Sequence, residues 1–322
     1  MRVVILGGGG FLGQKLARAL ALRGTVRGEA ISALVLADLN VPSAVEAPFP
    51  VETIALNVTD NNSLNPALAG ADVVYHLAAI VSGQAEAEFD LGMSVNLQGS
   101  INVFEAARAS GRCPVVVFTS SVAAYGGEVP DPIEDWTALN PQTSYGAQKA
   151  AAELLLTDFS RKGFLDGRGV RLPTITIRPG KPNAAASSFM SSIFREPLQG
   201  ETANCPVGED YPIFHSAPRT VIRNLIRAAE VSAADLGQNR CFVLPGRTDS
   251  VGEMIAAMTR VAGPEPVTRI TWNPDPAVEA VVSGWRADLR PAKALALGFE
   301  ADASFDDNVR YFLEDDIERA DA

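Results

Sequence analysis

Within thirteen residues the chain passes from an apolar run, Arg2–Leu6, through Gly7-Gly8-Gly9-Gly10 into Phe11-Leu12-Gly13, the start of a helix-periodic stretch. Glycines at 7, 10 and 13 each have a separate physical use in such a strand–turn–helix. Gly7 permits a tight turn out of the strand, Gly10 lets backbone approach an anion closely, and Gly13 lets the helix pack against the sheet. The helix then presents unpaired N–H groups and the positive end of its dipole to that anion. In this context the loop predicts a pyrophosphate cradle formed by Gly7, Gly10, Phe11, Leu12 and Gly13.

Beyond this loop the chain alternates short apolar runs with longer helical patterns. Strands are expected at 31–37, 51–56, 72–75, 114–119 and 170–177, with helices at 11–22, 85–110 and 145–161. These strands are apolar on both sides of the pleat, as in a parallel sheet covered by helices on both faces. The pattern predicts an α/β fold with a doubly wound parallel sheet of the Rossmann type. After Pro179 the chain turns Ala-, Ser- and Pro-rich, while 219–229 and 240–244 read as a helix and a strand that return to the sheet. The expected division is a dinucleotide-binding domain at 1–179 plus about 214–245. A smaller C-terminal substrate-binding lobe takes 180–213 plus 246–322.

Composition narrows the partners. The 27 basic and 38 acidic residues leave a net charge of −11, which repels phosphate backbones and anionic lipid, so neither nucleic acid nor a membrane is expected. Cys113, Cys205 and Cys241 are far apart and match no metal-ligand or disulfide spacing. With no leader pattern and no long apolar span, the expectation is a cytoplasmic protein without a metal site.

Asp38 ends the second expected strand, 25 residues past Gly13. A carboxylate there can accept hydrogen bonds from both hydroxyls of an adenosine ribose and would repel a 2′-phosphate, which predicts NAD in preference to NADP. Asn57 and Val58 come after the third strand, where an adenine edge would lie, and Asp60 either joins them or caps the next helix. Ser121 comes after the fifth strand, and Tyr145 and Lys149 share one helical face four residues apart. An ammonium beside a phenol favours the phenolate. The pattern therefore predicts Tyr145 as a base that takes a proton from a substrate alcohol, Ser121 as the group that holds that oxygen, and Lys149 as pKa tuner and ribose clamp.

Together the glycine loop, His76-Leu-Ala-Ala79, Asn96, Ser121-Val-Ala-Ala-Tyr125-Gly126, Tyr145-Gly-Ala-Gln-Lys149 and Arg178-Pro-Gly180 resemble the extended short-chain dehydrogenase/reductases. The resemblance implies that Leu77, Ala78 and Ala79 line the cofactor, that Asn96 supports the catalytic helix at the cofactor site, and that Pro179 abuts the nicotinamide. It assigns His76 a structural place. It also implies a homodimer through a four-helix contact of 85–110 and 145–161, with Ala150, Ala151, Leu154 and Leu155 as an apolar stripe.

Stretches at 79–90, 141–149 and 172–189 further resemble a subgroup that oxidises the C2 hydroxyl of a four-carbon sugar acid to the 2-keto acid. Candidate substrate contacts are Ser82, Ser121, Tyr145, Asn183 and Arg219, the arginine for a carboxylate. The alternative is an NDP-sugar 4-epimerase or dehydratase with tightly held NAD, whose diphosphate would need Arg195, Arg219, Arg269, Arg286 or Arg290.

Overall fold

In the computed structural model, which describes residues 1–180, 186–282 and 284–317, seven parallel strands form the central sheet. They are β1 (Arg2–Leu6), β2 (Ala33–Asp38), β3 (Val51–Ala55), β4 (Val73–His76), β5 (Val115–Ser121), β6 (Asp166–Leu172) and β7 (Cys241–Val243). The spatial order is β3-β2-β1-β4-β5-β6-β7. Strand order reverses between β1 and β4, so Gly7 and Leu77 leave the sheet side by side at a crevice, the position where open α/β sheets bind ligands.

β1 shows why its strands carry no polar alternation. Val3 and Ile5 pack into a core with the helices Phe11–Arg23 and Pro218–Glu230. Val4 and Leu6 point to the other face, into a core with Asn61–Leu68, Gly99–Ala109 and Ser144–Arg161. Both faces are dry, so both need apolar side chains. A third core gathers Ile177 with the helices Phe189–Leu198, Val251–Ala262 and Phe305–Phe312.

Several elements differ from the sequence expectation. The expected helix at 85–110 is built as Ser82–Ala87, Phe89–Gly92, a π-helical turn Met93–Gln98 and Gly99–Ala109. The expected strand at 170–177 breaks after Leu172, because Pro173 has no N–H to donate. Thr174–Ile175 then joins a separate three-stranded sheet with Pro212–Ser216 and Arg247–Ser250. Ala294 and Phe299 pack into the core of the central sheet, Phe299 against Phe242 at 5.0 Å between ring centroids, rather than into the third core. No helix among the described residues is long and apolar enough to cross a membrane.

Candidate active site

Gly7 has φ +88° and donates, with Gly8, to Ala37 O at 2.8 and 3.0 Å. A Cβ at Gly7 would lie 2.8 Å from Ala78 N, and one at Gly13 would lie 2.2 Å from Gly7 O. Both positions therefore exclude a side chain on the protein's own account. Gly10 is different, since a Cβ there meets nothing nearer than Gly7 O at 3.4 Å. The bare space above Gly10 is an open cradle rather than a packing requirement. Gly10 is also the helix N-cap and has no side chain to bond the first amides, which leaves Phe11, Leu12 and Gly13 facing the cradle.

Asp38 stands at the rim. Its carboxylate accepts from Gly9 N at 2.9 Å and from Leu39 N at 2.8 Å, and no cation among the described residues pairs with it. Asn57 Oδ1 accepts from Thr59 N, Val58 is buried, and Asp60 caps the helix Asn61–Leu68 through Asn62 N at 3.0 Å. Of the two uses expected for Asp60, the cap is therefore present. Leu77 N donates to Leu6 O at 2.8 Å, which lays the 77–79 segment across the glycine turn. A cradle of bare backbone, free helix amides and a rim carboxylate fits a dinucleotide.

Ser121 ends β5, and its Oγ accepts from Ala123 N at 3.1 Å while also hydrogen-bonding the Tyr145 hydroxyl. The helix carrying Tyr145 is capped by Thr143, which accepts from Gly146 N at 3.1 Å. A Cβ on Gly146 would sit 2.1 Å from Ala123 O, so glycine at this position permits the approach that joins Tyr145 to Ser121. Lys149 is 1% exposed, and its Nζ donates to Thr119 O at 2.9 Å and lies 5.7 Å from the Tyr145 ring centroid.

The electrostatics differ from the sequence expectation. Burial pushes the Tyr145 hydroxyl up to about 12, opposed by the Ser121 hydrogen bond and the charge of Arg178. Burial also brings Lys149 down to about 7, opposed by Glu153. Burial thus disfavours the charged form of both groups, and the charge of Arg178 acts on the phenol in the opposite direction.

Comparison with known proteins places this geometry. Residues 3–231 match the NAD dependent epimerase/dehydratase family. The chain belongs to that family. A D-erythronate dehydrogenase from Cupriavidus necator is 49% identical over 320 residues, which are 98% of each chain. A D-erythronate dehydrogenase from Haemophilus influenzae is 42% identical over 318 residues, 98% of this chain and 100% of the relative. A solved structure described as the nucleoside-diphosphate-sugar epimerase from Agrobacterium tumefaciens has a TM-score of 0.95 at 41% identity, covering 99% of this chain and 95% of that one.

As a member of the epimerase/dehydratase family the protein uses a nicotinamide dinucleotide. Buried polar side chains around the site tie its segments together. Asn96, fully buried in the π-helical turn, accepts from Ile80 N at 2.9 Å and donates to Gln148 Oε1 at 2.9 Å. It clips the segment after β4 to the helix of Tyr145. Behind the site, Arg171 holds Glu153 through Nε and Nη2, Ser120 donates to Glu153, and Arg171 Nη1 reaches Tyr125 OH at 2.7 Å. Only Lys149 and Glu153 at i and i+4 on one helix hint at this group in the sequence. His76 is buried against Phe118, 3.0 Å from Ser100 Oγ, and burial lowers it to about 3, so it is neutral.

The expected substrate contacts are scattered. Ser82 opens a short helix just after the 77–79 segment. Asn183 lies outside the described residues. Arg219 bonds Asp315 at 2.7 and 3.1 Å and Glu314 at 2.9 Å, and stacks 4.1 Å over Tyr311. With two carboxylates already on its guanidinium, Arg219 is not available to a third without losing them.

Proposed function

We propose that the protein is an NAD-dependent dehydrogenase that oxidises the C2 hydroxyl of D-erythronate, or a closely similar sugar acid, to the 2-keto acid. The observation that carries this reading is the pair of D-erythronate dehydrogenases that match the chain over its full length at 49% and 42% identity. When bound, NAD accepts the hydride from C2. The chain supplies the rest: Ser121 holds the hydroxyl oxygen, Tyr145 takes its proton, and Lys149, near the Tyr145 ring, clamps the nicotinamide ribose and favours the phenolate. Asp38 favours the unphosphorylated coenzyme, since its carboxylate stands where a 2′-phosphate would bring like charge. We further assign the protein to the cytoplasm.

The NDP-sugar epimerase reading is supported by the likeness to the Agrobacterium structure. It is weakened by the state of the arginines a diphosphate would need. Arg195 pairs with Glu196, Arg219 with Asp315, Arg269 with Glu265 and Arg290 with Asp288, while Arg286 donates to Gly127 O at 3.1 Å and has no carboxylate partner among the described residues. Initial rates of NADH formation with four- to six-carbon sugar acids separate the readings. The expected result is turnover of D-erythronate with NAD and at least about tenfold less with NADP. Turnover of UDP-sugars with none of any free acid would reject the dehydrogenase reading.

A homodimer through the helices at 82–109 and 144–161 belongs to the same proposal. Leu154 on the second of these helices is 72% exposed, and Phe89 is 56% exposed. Leu154→Glu is expected to shift the sedimentation coefficient from dimer to monomer. An unchanged coefficient would place the contact elsewhere.

A further inference from the structure

Gln14 ends the first turn of the helix Phe11–Arg23, with its backbone N–H donating to Gly10 O at 2.9 Å. Helical side chains lean toward the helix N-terminus, so this one reaches back over the glycine turn. Its Nε2 donates to Gly8 O at 2.8 Å and to Ser43 O at 3.1 Å. One amide group thus joins the glycine turn to the segment that follows Asp38. The two sides of this junction are held differently. The glycine turn lies directly on the end of β2, since Gly7 and Gly8 donate to Ala37 O and a Cβ at Gly8 would lie 3.0 Å from Leu36 Cβ. The segment 40–49 has no such backing. Val45 and Phe49 pack, partly buried, against the first core. Among the described residues, the bond from Gln14 is the one hydrogen bond that joins 40–49 to the rest of the chain.

Asp38 lies at this junction. Its Oδ2 accepts from Gly9 N at 2.9 Å and its Oδ1 from Leu39 N at 2.8 Å, so the carboxylate spans the turn and the start of the segment. In a fold of this kind a carboxylate here meets the ribose hydroxyls, and a coenzyme with a 2′-phosphate needs room and a cation beside it. The residues next to that place are Leu39-Asn40-Val41-Pro42-Ser43, which contain no cation. The charge of Asp38 repels the phosphate, but repulsion weakens with distance, and a segment free to swing away would let phosphate and carboxylate part. Gln14 removes that freedom. We infer that Gln14 is a positioning residue for coenzyme choice: by holding Ser43 against Gly8 it keeps the segment 39–43 closed on Asp38 and denies a 2′-phosphate the space it needs.

The inference rests on the assignment of Asp38 to the ribose of NAD, and the test separates the two. Dissociation constants for NADH and NADPH are measured by fluorescence titration of wild type, Gln14→Met and Gln14→Asn, and backbone hydrogen exchange over 39–49 is followed in the same proteins. Gln14→Met keeps the length and the helix propensity and loses the donor. The readout is the ratio of the NADPH constant to the NADH constant. Wild type is expected to show a ratio of at least about ten. Gln14→Met should narrow it by about fivefold, the worth of one hydrogen bond, with faster exchange over 39–49. Gln14→Asn, whose amide is one methylene short of both carbonyls, should narrow it in the same direction, and it decides the matter if the methionine variant does not fold. A ratio that stays at the wild-type value in the variants, even with both constants raised together, overturns the role of Gln14 while leaving Asp38 in place. Equal binding of NADH and NADPH by wild type overturns the Asp38 assignment and the inference with it.

Discussion

At the scale of single residues the site turns on Tyr145. Charge spacing in the sequence points to Lys149 as the group that makes the phenol acidic. In the folded protein both groups are buried, and burial disfavours the charged form of each, raising the phenol and lowering the amine. Ser121 and Arg178 work against that on the phenol. Ser121→Ala therefore removes one of the two influences that pull Tyr145 down toward about 12. Its pKa rises, the fraction of base at a fixed pH falls, and the rising limb of the pH–kcat profile moves to higher pH. A loss of about a hundredfold in kcat at about pH 8 is expected, with NAD affinity unchanged. A profile that falls in height without shifting would assign Ser121 to orientation alone.

Elements position these residues through contacts that one-dimensional patterns carry poorly. The sheet is readable, because apolar strands between glycine and helical signals have few alternatives, and so is the cradle at Gly7 to Gly13. The docking of the Ser144–Arg161 helix is not. It depends on Gly146 against Ala123, Gln148 against Asn96, and Glu153 against Arg171, pairs whose partners are 18 to 52 residues apart. The engagement of Arg219 is hidden for the same reason, its acids lying 95 and 96 residues downstream. Gly146→Ala tests the docking directly. A methyl group 2.1 Å from Ala123 O forces the helix start away from the turn after β5. The variant should lose most of its activity and about 1–3 kcal/mol of stability, measured by urea unfolding. Full activity would mean that Tyr145 meets Ser121 without that approach.

At the scale of the whole molecule, buried titratable groups set the response to pH. His76 is neutral when folded, at about 3, and takes up protons near 6.5 when unfolded. Its contribution is complete above pH 6.5 and is lost as pH falls toward 3. Lys149 has the same sign, its stabilising share growing from about 7 toward 10.5. Asp249, bound to His215 and Arg247, is held below its ordinary value of 3.8 and adds a loss at more acid pH. Thermal unfolding should therefore show Tm climbing steadily from about pH 4 to about pH 9. His76→Asn should flatten the segment below pH 6.5, and an unchanged slope there would assign the acid lability to the carboxylates.

Lys15 lies one turn into the helix that begins at the glycine cradle, and its ammonium bonds Asp316 at 2.7 and 2.9 Å across 301 residues of sequence. Glu314 and Asp315 in the same turn hold Arg219. The turn Leu313–Ile317 is thus a buckle fastened to the helix that leaves the glycine cradle, so a change that loosens it acts on the cradle from behind.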